Sequence, residues 1–282
     1  MKKTALIILA TILVLSMMLT LVGCSTATVQ GQLRNIWRPY EKYVYDVTDG
    51  ETNGTYTVEI TKNSATSIAL GDMTLENLKE GYIINTTLSF GEDLWESGCY
   101  MQTVDGTTFL VPIASYYKRV GGEYTDKLSA KYEGKNYKYT ITEYGAPRDG
   151  EISLKAPFYD NVQIQQVLRA VKTLGAGFTF TFNTPIAVEN TSASLTASCS
   201  VTETITWGDE QSAKCNKVVL ARSTQVVGAS QTLYYSVDPI KVDGWSLVNV
   251  LISFREPISS TESMLYTLKS ISLTKATDQG QN

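Results

Sequence analysis

The sequence predicts a mainly β domain: one large curved antiparallel sheet, an open or half barrel, with one amphipathic helix packed on the concave side. Three observations lead there. Apolar residues recur at every second position through most of residues 36–275. Ser and Thr fill the intervening positions, so each strand has one wet and one packed face, the mark of antiparallel sheet. A single stretch, 160–172, carries apolar residues at helical spacing instead.

The chain of 282 residues opens with Met1-Lys2-Lys3, runs uncharged from residue 5 to 22, and reaches Leu21-Val22-Gly23-Cys24. A basic head, an apolar middle and small residues before a cut site describe an export signal, residues 1–23. An uncleaved membrane anchor is the competing reading, because about 18 apolar residues just span a bilayer. The closing tetrad resembles the bacterial lipobox. That resemblance implies cleavage after Gly23, lipidation of the Cys24 thiol and export. It implies a lipid anchor on the outer face of the cell membrane, or in the outer membrane if the cell has two. A diacylglyceryl group holds a protein there durably, since each buried CH₂ adds about 0.8 kcal/mol. Residues 24–35, small and polar, form a tether with a reach of roughly 35–40 Å, which keeps the domain near its membrane.

Order begins near Ile36-Trp37. Tyr56, Val58 and Ile60 alternate with Thr55, Thr57 and Glu59 after a turn-rich stretch, 49–54. Tyr82, Ile84, Leu88 and Phe90 form a second strand, and Tyr137, Tyr139 and Ile141 another behind a Gly134-Lys135-Asn136 turn. Phe178, Phe180 and Phe182 share one parity. From Leu195 to Trp207 every even position is Ser or Thr. Runs 218–227, 232–237, 245–254 and 264–274 complete about a dozen strands. Asp160 is a suitable N-cap for the helix. Val162, Ile164, Val167, Leu168 and Val171 make its stripe, Gln163, Gln165, Gln166, Arg169 and Lys172 cover the other side, and Gly175 stops it. Residues 73–79, with Leu75 and Leu78 three apart, read as a short helical turn. The Pro/Gly-rich stretch 145–157 reads as a crossover to the helix within a single domain, 36–275, and a disordered tail follows at 276–282.

Composition excludes several function classes. Loss of residues 1–23, which hold two lysines and no acid, leaves 259 residues with 22 basic and 28 acidic side chains, a net charge of −6. An acidic chain of this kind has no electrostatic footprint for nucleic acid. There is no histidine, so no Ser-His-Asp or Cys-His nucleophile and no imidazole zinc site. No cofactor and no metal are expected, and an enzyme is not the expected class. Cys99, Cys199 and Cys215 allow one internal disulfide; Cys199–Cys215 is the preferred pair because the two lie on one predicted hairpin, the alternative being three buried thiols.

Other motifs are weak. Ser115-x-x-Lys118 and Ser272-x-x-Lys275 match an acyl-enzyme motif but fall in strand-like sequence without a Lys-Thr-Gly partner. Asp46 to Glu51 has calcium-loop character but reads as a polar hairpin turn. Glu92, Asp93 and Glu96 beside Trp95 read as a solvated loop. The 17 tyrosines, against 7 phenylalanines and 4 tryptophans, suit a surface half in and half out of water. They belong either to the margins of a large sheet or to a concave aromatic groove for an amphiphile or a glycan.

The order of elements resembles the LolA/LolB-like half-barrel of bacterial envelope proteins. A related family of uncharacterised exported domains is similar in Pro157-Phe158-Tyr159-Asp160, Val167-Leu168-Arg169, residues 177–182, and Tyr235-Ser236-Val237-Asp238 followed by 250–257. The resemblance implies a sheet curved around an apolar cavity with a helix as lid, carrying lipids or acylated proteins. It places Ile164, Val167, Leu168 and Val171 on that concavity. The expected function is therefore a non-enzymatic lipid-anchored envelope protein binding a lipid or other amphiphile. The alternative is a module that binds or scaffolds cell-wall peptidoglycan.

Overall fold

The computed structural model describes residues 36–104, 110–120, 126–222, 230–259 and 262–274, apart from the side chains of Asn161 and Val162. The expected export segment, Cys24, the expected tether and the expected tail lie outside the described residues.

The first half contains β1 (Tyr40–Thr48), β2 (Asn53–Asn63), β3 (Ile68–Leu70), β4 (Met73–Leu75), β5 (Gly81–Phe90) and β6 (Asp93–Thr103). It continues with β7 (Leu110–Val120), β8 (Lys127–Glu133), β9 (Asn136–Glu143) and β10 (Ala146–Ser153). Helix α1 (Asn161–Arg169) follows. The second half contains β11 (Thr179–Ile186), β12 (Thr191–Trp207), β13 (Gln211–Arg222) and β14 (Gln231–Ser236). It ends with β15 (Ile240–Val242), β16 (Trp245–Leu247), β17 (Leu251–Pro257) and β18 (Ser263–Ser272).

Fourteen of these strands form one antiparallel sheet in the order β10-β9-β8-β7-β6-β5-β2-β1-β18-β17-β14-β13-β12-β11. The first strand pairs with the last, and each half then meanders outward to its own edge. Two small hairpins, β3–β4 and β15–β16, are inserted between β2 and β5 and between β14 and β17. The large sheet is curved and nearly closed. Its edges do not pair with each other; side chains and the crossover join them. Arg148 Nη2 on β10 donates to Val188 O at 2.9 Å, and the Tyr139 hydroxyl to Asn190 Oδ1 at 2.8 Å. Residues 157–159 run parallel to β11, with Tyr159 N donating to Asn183 O at 3.0 Å and Asn183 N to Pro157 O at 2.9 Å. Closure of this kind covers an edge that would otherwise recruit another chain.

Several sequence expectations need correction. Residues 73–75 are a strand because Gly71, at φ +56°, turns the chain back onto β3. Leu70, Leu75 and Leu78 are buried with Tyr100 and Ala114, so this hairpin covers the outer side of β6 and β7. Part of the supposed crossover, Ala146–Ser153, is the edge strand β10, where Pro147 is tolerated. The 245–254 run breaks in two at Asn249, whose φ is +47°. The calcium-like stretch is indeed a turn: Asp49 Oδ1 accepts from Glu51 N and Thr52 N at 2.9 and 2.7 Å.

The disulfide expectation also fails. The β12–β13 turn is centred on Asp209, with Trp207 opposite Gln211. That register sets Cys215 against Glu203 and Cys199 against Val218, with a bulge between Cys199 and Val201. Four residues separate Cys199 from Glu203, roughly 13 Å along the strand, too far for an S–S bond. Cys99, Cys199 and Cys215 are free buried thiols.

Candidate functional site in the sheet concavity

Helix α1 organises the interior. Asp160 caps it, its carboxylate accepting from Gln163 N at 3.1 Å while Gln163 Oε1 accepts from Asp160 N at 3.1 Å. The helix ends at Arg169, short of Gly175. The Asn249 side chain donates to the Arg169 and Val171 carbonyls at 2.9 and 2.7 Å, and so takes over the C-terminal acceptors. Tyr235 reaches in from β14 to donate to Gln165 O at 2.9 Å.

The helix is enclosed on both faces. Ile164, Val167, Leu168 and Val171 are fully buried, worth about 1.5–3 kcal/mol each. Gln163, Gln165, Gln166 and Arg169, expected to cover the far side, are buried too; only Lys172 of that set is exposed. Burying such a face requires partners. Arg169 Nη2 donates to Glu41 Oε2 at 2.9 Å and to the Tyr43 hydroxyl at 2.7 Å, while its Nη1 donates to Gln166 Oε1 at 2.9 Å. Tyr43 donates to Glu41 Oε2 at 2.6 Å, and Arg38 N to Glu41 Oε1 at 2.7 Å. Burial opposes the Arg169 charge, but the fields of Tyr43 and Glu41 outweigh it and hold the guanidinium above its ordinary range. This buried charge cluster pins the C-terminal end of α1 to β1.

Two adjacent cavities open beside the helix, one of about 340 Å³ and one of about 230 Å³, and Ser97 and Tyr117 line both. The walls of the larger follow directly from the pleat, since residues i and i+2 share a face. β5 supplies Thr86 and Leu88, β6 Trp95 and Ser97, β17 Phe254 and Glu256, and β18 Met264 and Tyr266. Register brings these pairs together: Leu88 lies between Tyr56 and Trp95, Ser97 between Thr86 and Tyr117, and Phe254 opposite Tyr266. The helix adds Gln165. In the smaller cavity Ser115, Tyr137 and the N-cap Asp160 contribute the polar wall.

Polar groups in the larger cavity are few. Thr86 and Ser97 hydroxyls share a hydrogen bond of 2.6 Å, and the Tyr266 hydroxyl donates to Glu256 Oε2 at 3.3 Å. Burial raises the Glu256 carboxyl above its usual range, opposed by the Tyr266 hydrogen bond. Burial likewise raises the Tyr56 phenol, against the Thr86 hydrogen bond and with the Glu256 charge. An apolar hollow with a few convergent polar groups is the usual form of a small-molecule site.

A third hollow, about 660 Å³, lies where Lys131, Lys138, Thr140, Asp149 and Glu151 are exposed on β8–β10. Its charges are solvated, as in the exposed Lys138–Glu133 pair, and it offers a ligand little desolvated surface.

No protein family matches the chain, and no curated protein matches it in sequence. One solved structure is similar to it: a crystal structure from Brucella abortus, described as a beta-barrel-like protein of a domain of unknown function, DUF1849. The two share 10% identity at a TM-score of 0.48, over 84% of this chain and 98% of that one. The likeness transfers no residue and no activity.

The site differs from the sequence expectation in which helix face lines it. Ile164, Val167, Leu168 and Val171 anchor α1 and line neither cavity; Gln165 and Asp160 do so instead. Glu256 lies outside the sequence expectation, although an acid sharing the parity of Ile252 and Phe254 on β17 was a readable signal. Ser115 and Lys118 sit on β7, and Asp93 and Glu96 on β6, where Asp93 accepts from Arg119 Nη2 at 2.8 Å. Lys275 lies outside the described residues. Among the described tyrosines only Tyr117 and Tyr144 are exposed; the others are buried or half-buried.

Proposed function

We propose that this protein is a non-enzymatic, lipid-anchored envelope protein that binds an apolar or amphiphilic ligand, a lipid or an acylated molecule, in the sheet concavity beside α1. One observation carries the proposal. An interior that closes tightly around a buried charge cluster at one end of the helix leaves about 340 and 230 Å³ of adjoining, partly aromatic space along its flank. A natural core keeps voids larger than a water few, so room on this scale marks a place for a guest. The carrying of lipids by the half-barrel proteins that the sequence resembles agrees with this reading, and so do the inward-facing tyrosines. A peptidoglycan platform would need its aromatic rings on the outside.

The neutral apolar dye N-phenylnaphthylamine tests it. The full chain should bind the dye saturably at micromolar concentration, and long-chain amphiphiles should displace it. Leu88→Trp fills the larger cavity from its wall and should weaken binding at least tenfold while keeping a cooperative thermal transition. Absence of saturable binding by the wild-type chain, or full binding by the filled variant, rejects the site. The anchor has its own test. Membrane-bound wild-type protein should carry a diacylglyceryl mass on a peptide beginning at Cys24, and Cys24→Ala should accumulate as unacylated precursor; equal masses for the two would remove the lipid.

A further inference from the structure

We infer that the larger cavity selects amphiphiles with a cationic ammonium head, which it receives between aromatic faces and the Glu256 carboxylate. The inference rests on the ligand-binding reading above and names the chemistry of that site. Three of its lining rings pack together. Phe254 and Tyr266 stack with centroids 4.0 Å apart at 8°, and Tyr56 stands across both, at 73° and 77° with centroids 5.8 and 5.4 Å away. Trp95 and Tyr117 complete the wall from β6 and β7. Ring faces carry the negative part of the aromatic quadrupole, and a desolvated cation lying over several of them is attracted to each.

Charge points the same way. Glu256 is the one ionisable carboxylate among the described lining residues, and no Lys or Arg accompanies it there. Arg119, opposite Trp95 in the β6–β7 ladder, sits over the Trp95 ring at 5.6 Å and is paired with Asp93. A fatty-acid carboxylate entering this space would meet a like charge and the negative ring faces with no counter-ion. An ammonium head would meet the Glu256 carboxylate beside the Tyr56, Phe254 and Tyr266 rings, while its chain lies along Leu88 and Met264. The Thr86–Ser97 hydroxyl pair and the Gln165 amide leave polar acceptors for a primary or hydrated head group.

The full chain should be titrated with dodecyltrimethylammonium, dodecanol and dodecanoate, each below its micelle concentration and followed by Trp fluorescence. The cation is expected to bind at least tenfold tighter than the carboxylate. Glu256→Gln should cut that preference at least fivefold, with the loss falling on the affinity for the cation. Choline should compete at millimolar concentration where its neutral isostere 3,3-dimethylbutanol does not, a comparison that needs no variant. Equal or tighter binding of dodecanoate, an undiminished preference in the Gln variant, or equal competition by the isostere overturns the inference. If all three chains bind alike, the amphiphile site stands and only its selectivity falls; if none binds, the site itself falls.

Discussion

Raising the pH above about 10 is expected to unfold the domain in a single cooperative step. Tyr43, Tyr45, Tyr132, Tyr137, Tyr159, Tyr235 and Tyr266 are all buried, and burial is the leading cause that raises each phenol above its ordinary value of 10.0. A group that holds its proton more tightly when folded contributes stability fully present below the unfolded pKa. That contribution is lost as the pH rises toward the folded pKa, because the unfolded chain ionises first. Each such group costs about 1.4 kcal/mol per pH unit in that window. Seven together cost about 10 kcal/mol per unit, against a typical total stability of about 5–15 kcal/mol. Tyrosinate absorbance and circular dichroism followed in parallel should therefore change together over a narrow range. Gradual ionisation of all the tyrosines near pH 10 with the dichroism unchanged would show that they are not sealed in the core.

Disruption of the Arg169–Glu41 pair is the second large effect. Glu41→Gln leaves the Arg169 guanidinium, 1% exposed, without its counter-ion, and loss of one partner of a buried pair costs about 3–5 kcal/mol. Arg169→Met should cost a similar amount, because it strands the carboxylate with Tyr43 and the Arg38 amide alone. The double variant Glu41→Leu, Arg169→Met removes both charges and should be more stable than either single variant. Denaturant unfolding of all four chains tests that order of stability. Single variants within about 1 kcal/mol of wild type would mean that water reaches the pair.

How far the fold was legible follows from where its information lies. The alternation that sets each strand is local, so the mainly β class, the antiparallel pairing and the Asp160 cap could be read directly. Glu41 was readable in principle: it shares the packed parity of Tyr43, Tyr45 and Val47, an acid on an apolar face. Its partner was not, because 128 residues separate Glu41 from Arg169. The same limit explains the helix. A stripe of Ile164, Val167, Leu168 and Val171 says that one face is buried. Only the pairing of β1 with β18 and the approach of β10 to the β11–β12 turn reveal that the sheet wraps far enough to bury the other. The Cys199–Cys215 error came from a shift of two residues in the turn centre, and register is a property of turn geometry as much as of pattern. The larger cavity is assembled from i, i+2 pairs on four strands, and no single strand announces it.

The most direct test of the ligand site is to find where a bound chain lies. A long-chain amphiphile carrying a photoactivatable diazirine should be irradiated with the full protein and the adducts mapped by mass spectrometry. Labels are expected on the inward residues of β5, β6, β17 and β18, foremost Leu88, Trp95, Met264 and Tyr266, and should vanish in Leu88→Trp. Labels confined to the outer face of β8–β10 or to the exposed Trp245 hairpin would contradict a guest in the concavity.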